Sequence, residues 1–83
     1  MKAVFVFRSK TEVFEFAERL KQRSIPAGTV GTPKEARIGC GLSVRTDLGF
    51  VGEAKKIAVT FDGFYGIFLI ERTPNRSSVT RIY

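Results

Sequence analysis

Apolar residues in this chain come in short runs, and the spacing within each run changes along it. Residues 3–7, Ala-Val-Phe-Val-Phe, are apolar on both alternations, which predicts a central strand buried on both faces. The period then lengthens. Val13, Phe16, Ala17 and Leu20 fall at i, i+3, i+4 and i+7, so they share one face of a helix. Ser9 suits the N-cap, and Glu12 three residues on completes the capping-box pattern. Glu15 and Arg19 form an i, i+4 pair on the wet face. Pro26 pushes Ile25 toward extended backbone, so the helix ends near Arg23.

Residues 25–30 read as a second strand, confined to an edge by Pro26 and Gly28. A loop over 31–41 leads to a short strand at 42–45. Asp47 is a candidate cap for a second helix over 50–59, whose buried stripe is Phe50, Ala54, Ile57 and Ala58. Gly52 weakens that helix. Asp62-Gly63 marks a turn before the clearest strand, residues 64–72. Residues 74–78 read as a loop, and 79–83 as a last edge strand or a frayed tail.

The order strand, helix, strand, strand, helix, strand predicts an α+β protein. The expected form is a single-domain ferredoxin-like split βαβ (βαββαβ), an antiparallel sheet with two helices on one face. Residues 1–72 would form the domain and 73–83 a C-terminal extension, as edge strand or flexible tail. Strict alternation puts Phe64, Phe68 and Ile70 on one face of the fourth strand and Tyr65, Ile67 and Leu69 on the other. That strand would lie at a sheet edge, where two apolar faces are a liability. Either the tail covers it or a second copy does, giving a homodimer through strand 64–70.

Composition narrows the chemistry. Eighty-three residues, 43% apolar with eight Phe, suffice for one modest core. The net charge is +6, but the basic residues are scattered and the longest cluster is Lys55-Lys56, so charge by itself argues weakly for nucleic acid. The opening apolar run is too short for a signal-peptide core, and no stretch is long enough to span a membrane. One cysteine makes no internal disulfide. These features point to a cytoplasmic protein. With no histidine and one cysteine, Cys-His and Ser-His dyads are excluded, and no metal site or cofactor is expected.

The cysteine lies in Arg37-Ile38-Gly39-Cys40-Gly41-Leu42-Ser43-Val44-Arg45. Gly39 and Gly41 let the backbone bend and leave the sulfur uncrowded. Lys34, Arg37 and Arg45 are the cations that the chain places nearest. On an extended strand Cys40, Leu42 and Val44 share one face, and Arg45 takes the other, so Lys34 and Arg37 are the better placed of the three. The residues themselves leave two readings open: a small core cysteine, or a working thiol.

The stretch Thr-Pro-Lys-Glu-Ala-Arg-Ile-Gly-Cys-Gly-Leu-Ser-Val-Arg, residues 32–45, resembles a family of small bacterial proteins described as selenium/sulfur carrier-like. The matching positions are Thr32, Pro33, Lys34, Glu35, Cys40, Gly41, Leu42, Val44 and Arg45, and the Phe-rich first strand and its helix fit as well. The resemblance covers roughly residues 3–60. It implies a carrier rather than a stand-alone enzyme, with Cys40 holding sulfur or selenium as a persulfide or selenosulfide. Donor and acceptor proteins would be its partners, Gly39 and Gly41 would give access, and Lys34, Arg37 and Arg45 would supply electrostatics. The tail beyond Thr73 runs past the family's usual end, and the Cys-Pro-x-Pro motif of another small sulfur-relay family is missing.

Three other readings compete. Residues 62–71 invite comparison with the aromatic signature of RNA recognition motifs, but the basic residue is Asp62 here and the segment falls on the fourth strand, which disfavours nucleic acid. A non-catalytic interaction or regulatory domain would use strand 64–70 as its contact surface. A redox sensor would use Cys40 across a dimer.

Overall fold

The computed structural model describes residues 2–36 and 40–83. Strand β1 is Lys2–Phe7, helix α1 Lys10–Gln22, β2 Ala27–Gly31, β3 Leu42–Asp47, helix α2 Val51–Ala58, β4 Phe64–Thr73 and β5 Arg76–Arg81. Short 3-10 turns occupy Lys34–Ala36 and Leu48–Phe50. The strands form one open sheet in the order β2-β3-β1-β4-β5, antiparallel at every pairing.

β1 is central and buried on both sides. Ala3, Phe5 and Phe7 join Val13, Phe16 and Leu20 of α1 and Ala54, Ile57 and Ala58 of α2, so both helices cover the same face. Phenylalanine rings dominate this layer. The Phe7 centroid lies 4.9 Å from Phe16, 5.4 Å from Phe64 and 5.5 Å from Phe61. Such tilted and edge-on contacts add to the area the rings bury. Val4 and Val6 point to the other face, with Phe68 and Ala36.

Helix α1 begins as its sequence predicts, with the Ser9 hydroxyl accepting the Glu12 N–H at 3.2 Å. The Glu12 carboxylate reaches outside the helix and accepts the Gly63 N–H at 2.9 Å. A Cβ on Gly63 would fall 1.8 Å from that carboxylate, so the bare glycine is what lets Glu12 lie there. The contact ties the start of α1 to the turn before β4. The helix ends with Ser24 at φ 59°, while the Ser24 and Ile25 N–H groups bond back to Lys21 and Leu20.

Several expectations change in detail. The second strand starts later, at Ala27, and the second helix is shorter and follows a 3-10 turn. Asp47 makes no capping bond, because its carboxylate pairs with Lys2 beside it in the register. Strict alternation fails at the start of β4. Val6 faces Gly66 while Phe7 faces Phe64, leaving Tyr65 as an extra residue. That bulge turns Phe64 toward the helices with Ile67 and Leu69, and Tyr65 joins Phe68 and Ile70 on the other face.

β4 is also not an edge. β5 pairs with it from Phe68↔Arg81 to Thr73↔Arg76, and the Ile82 N–H continues the ladder to the Ile67 carbonyl at 2.9 Å. The Tyr83 ring stacks on Phe64 at 5.6 Å, with the Lys55 ammonium 3.9 Å from the Tyr83 centroid. Of the two covers expected for strand 64–70, the tail or a second copy, the tail is the one the structure shows. β2 and β5 are the outer strands.

Glu12→Ala should cost roughly 1–3 kcal/mol in urea unfolding, because it strands the Gly63 N–H and removes a charged acceptor. Glu15→Ala, which loses only the exposed pair with Arg19, should cost about 0.5 kcal/mol or less. Equal losses in the two variants would mean that the Glu12 tie contributes no more than a surface charge.

Candidate functional site

The segment between β2 and β3 is held at three points. The Thr32 N–H donates to the Gly41 carbonyl at 3.0 Å, closing the base of the loop. The hydroxyls of Thr32 and Ser43 share a hydrogen bond of 2.7 Å. Ser43 is fully buried opposite Val6, and a hydroxyl there needs a partner. The third point is Ala36, only 2% exposed, which packs with Val4, Val6 and Phe68 on the helix-free face. The Ala36 N–H also closes a turn on the Pro33 carbonyl at 3.0 Å.

Cys40 sits where this loop enters β3. It is a free thiol, half-buried, and its side chain packs against the core layer on the helix side. The S–H donates to the carbonyl of Leu42 at 3.5 Å. Gly41 follows with φ +84° and open space where a Cβ would point. The requirement at Gly41 is thus one of backbone conformation, not of room.

Two of the candidate cations, Lys34 and Arg45, are among the described residues. Lys34 is exposed on the 3-10 turn whose Ala36 is anchored on the helix-free face. Arg45 pairs across from Val4 on that same face, whereas Cys40 packs on the opposite one. Among the described residues, neither Lys34 nor Arg45 is hydrogen-bonded to Cys40. Arg37 and Gly39 lie outside the described residues. Among the described residues, Gly41 is the candidate set beside the thiol, as its chain neighbour.

Two features went unread in the sequence. The Thr32–Ser43 clamp had a signal, since Ser43 is a hydroxyl between apolar neighbours in a strand. The contact of Arg45 with Gly28 had none. Gly28 lies opposite Arg45 in the register, and a Cβ on it would fall 2.9 Å from the Arg45 guanidinium. Nearby, the Lys2 ammonium hydrogen-bonds the Asp47 carboxylate and holds its pKa below the usual carboxylate value, with the Arg45 charge adding to the effect.

No group of three or more His, Cys, Asp or Glu suited to a metal ion occurs among the described residues. What the site offers is one thiol, pinned at a strand entrance.

A family model described as "Putative Se/S carrier protein-like" matches residues 2–65. The chain belongs to that family. The match takes in β1, α1, the whole loop with Cys40, β3 and α2, and it stops at the start of β4. No curated protein and no solved structure matches the chain. No helix among the described residues is long and apolar enough to cross a membrane.

Gly41→Ala should destabilise the fold by about 1–2 kcal/mol through left-handed backbone strain. Gly31→Ala, which also meets open space but has no positive φ, is the control and should be close to neutral. A neutral Gly41→Ala in urea unfolding would remove the conformational account of that glycine.

The Asp47 carboxyl, followed by NMR, should titrate below an unstructured aspartate, and Lys2→Met should raise its midpoint. Its folded pKa is lowered, so the pair's stabilising contribution is full above the ordinary carboxylate pKa and is lost as pH falls through the folded value. An unchanged midpoint in Lys2→Met would rule out Lys2 as the cause.

Proposed function

We propose that this protein carries sulfane sulfur or selenium on Cys40, receiving it from one protein and passing it to another. The observation that carries this reading is the family match over residues 2–65, which spans the chain's one cysteine. The free state and partial exposure of Cys40 fit the role: the thiol is unpaired and sheltered without being fully buried.

The chemistry is a thiol exchange. Cys40 loses its proton to solvent, and its thiolate attacks the outer sulfur of a donor persulfide. The new S–S bond forms on Cys40 as the donor's S–S bond breaks, and the donor leaves as a thiolate. The outer atom keeps its proton or releases it to water. Delivery is the same step in reverse sense, with an acceptor thiolate attacking the outer atom and freeing Cys40. Selenium in the outer position gives a selenosulfide. No resident base is required, which suits a chain without histidine.

In this reading Gly41 keeps the approach to sulfur open, and Lys34, exposed on the 3-10 turn, adds to the positive field around the loop. Arg45, on the other face, adds only to the general positive field. The strand order, with α1 and α2 on one face, supports the split βαβ ferredoxin-like arrangement, with β5 as an added outer strand and residues 73–83 as an extension of the domain. A second reading, an interaction domain without sulfur chemistry, is favoured by the packing of Cys40 against the core.

Loading decides between them. The purified chain, incubated with a cysteine desulfurase and cysteine, should gain one sulfur atom by intact mass. The gain should disappear on reduction and never arise in Cys40→Ser. No added sulfur, with thiol labelling only after denaturation, would leave Cys40 a packing residue and favour the interaction domain.

A further inference from the structure

Among the described residues outside the sheet, the Lys34–Ala36 turn is what packs on its helix-free face. The Lys34–Ala36 turn packs through Ala36 on Val4, Val6 and Phe68. Beside it lies a groove of about 540 Å³, floored by Val4, Val30 and Ile70 and rimmed by Lys2, Arg45 and Arg72. The register puts these side chains together. Val4 faces Arg45, Lys2 faces Ile70, and Arg72 follows two residues after Ile70 on the same side of β4.

The rim carries uncompensated charge. Lys2 is paired with Asp47, but among the described residues Arg45 and Arg72 form no ion pair. Arg45 lies against the bare backbone of Gly28, where a Cβ would come within 2.9 Å of its guanidinium. The glycine lets the guanidinium lie flat along the groove edge instead of standing off it.

We propose that this groove docks an acidic segment of a partner protein, one whose carboxylates alternate with aliphatic side chains. Guanidinium groups bind carboxylates through paired N–H donors, and the aliphatic floor takes the apolar side chains between them. The chain's net charge of +6 draws such a segment in. Single-stranded nucleic acid fits less well, because it needs open aromatic rings on which bases stack. The aromatic rings on this face, Tyr65 and Phe68, stack on each other, and the Arg81 guanidinium lies 4.3 Å and 5.7 Å from their centroids. Among the described residues that line the groove, none is aromatic. The docking surface stands on the sheet face opposite the packing of Cys40 and requires nothing of the thiol.

The test uses the full chain and a short fluorescein-labelled peptide of alternating glutamate and valine, with binding read by anisotropy and mapped by NMR shifts. Binding should weaken with added salt and map to Val4, Val30 and Ile70. Arg45→Glu/Arg72→Glu should weaken it by about tenfold or more, and Arg45→Gln/Arg72→Gln by less. Lys56→Glu/Arg76→Glu makes the same change of net charge at exposed sites outside the groove, and it should have little effect. Equal weakening by both Glu pairs, shifts that map elsewhere, or no binding would overturn the proposal. Tighter binding of oligouridine in the same groove would overturn it in favour of nucleic acid. Cys40→Ser should bind the peptide like the parent chain, so failure of docking and failure of sulfur loading are separate results.

Discussion

The two-sided burial of β1 is the constraint on which the rest of the structure depends. A strand with five successive apolar residues, Ala3 to Phe7, needs cover above and below. The helices provide one cover, through Phe16, Leu20, Ala54 and Ile57. They leave Val4 and Val6 on the far side, in an 83-residue chain with no third helix among the described residues. The loop between β2 and β3 supplies part of the missing layer by setting Ala36 on those valines. The second face of β1 thus gives the loop one anchor at Ala36, while the Thr32 bonds to Gly41 and Ser43 hold the end where Cys40 meets β3.

The same economy explains the edges. A long β4 with apolar residues on both sides would invite pairing with another chain. β5 takes that position, and Tyr83 and Arg81 fold their side chains back over Phe64 and Tyr65. Gly66 makes room for this return, since a Cβ there would fall 2.6 Å from the Tyr83 carbonyl oxygen. Among the described residues, the sheet is left open at its outer strands, β2 and β5, and on the basic half of the helix-free face. Thiol and groove end up on different sides of one sheet.

Much of this was legible in the residues, and the limits have physical causes. The double alternation of residues 3–7 foretold the central strand, and Ser9 marked the start of α1, because both signals are local. The alternation through residues 42–45 separated Arg45 from Leu42 and Val44, and β3 keeps them on opposite faces. Glu12 looked like half of a capping box, but the Gly63 N–H, 51 residues away, took its carboxylate. Asp47 looked like a cap, and Lys2 claimed it. Polar side chains with a local partner and a distant one cannot be assigned from spacing alone.

The sequence by itself determined the element types, the apolar helix face, the single unpaired thiol and the family to which residues 2–65 belong. Each rests on neighbouring residues or on a motif read in order. Only the tertiary structure decided the bulge at Tyr65, the capture of β4 by β5, the anchoring of Ala36 and the placing of Arg45 in a groove away from sulfur. Each of these depends on which surfaces meet across the sheet. Local propensity does not encode that choice, because burial and hydrogen-bond satisfaction are settled by the chain as a whole.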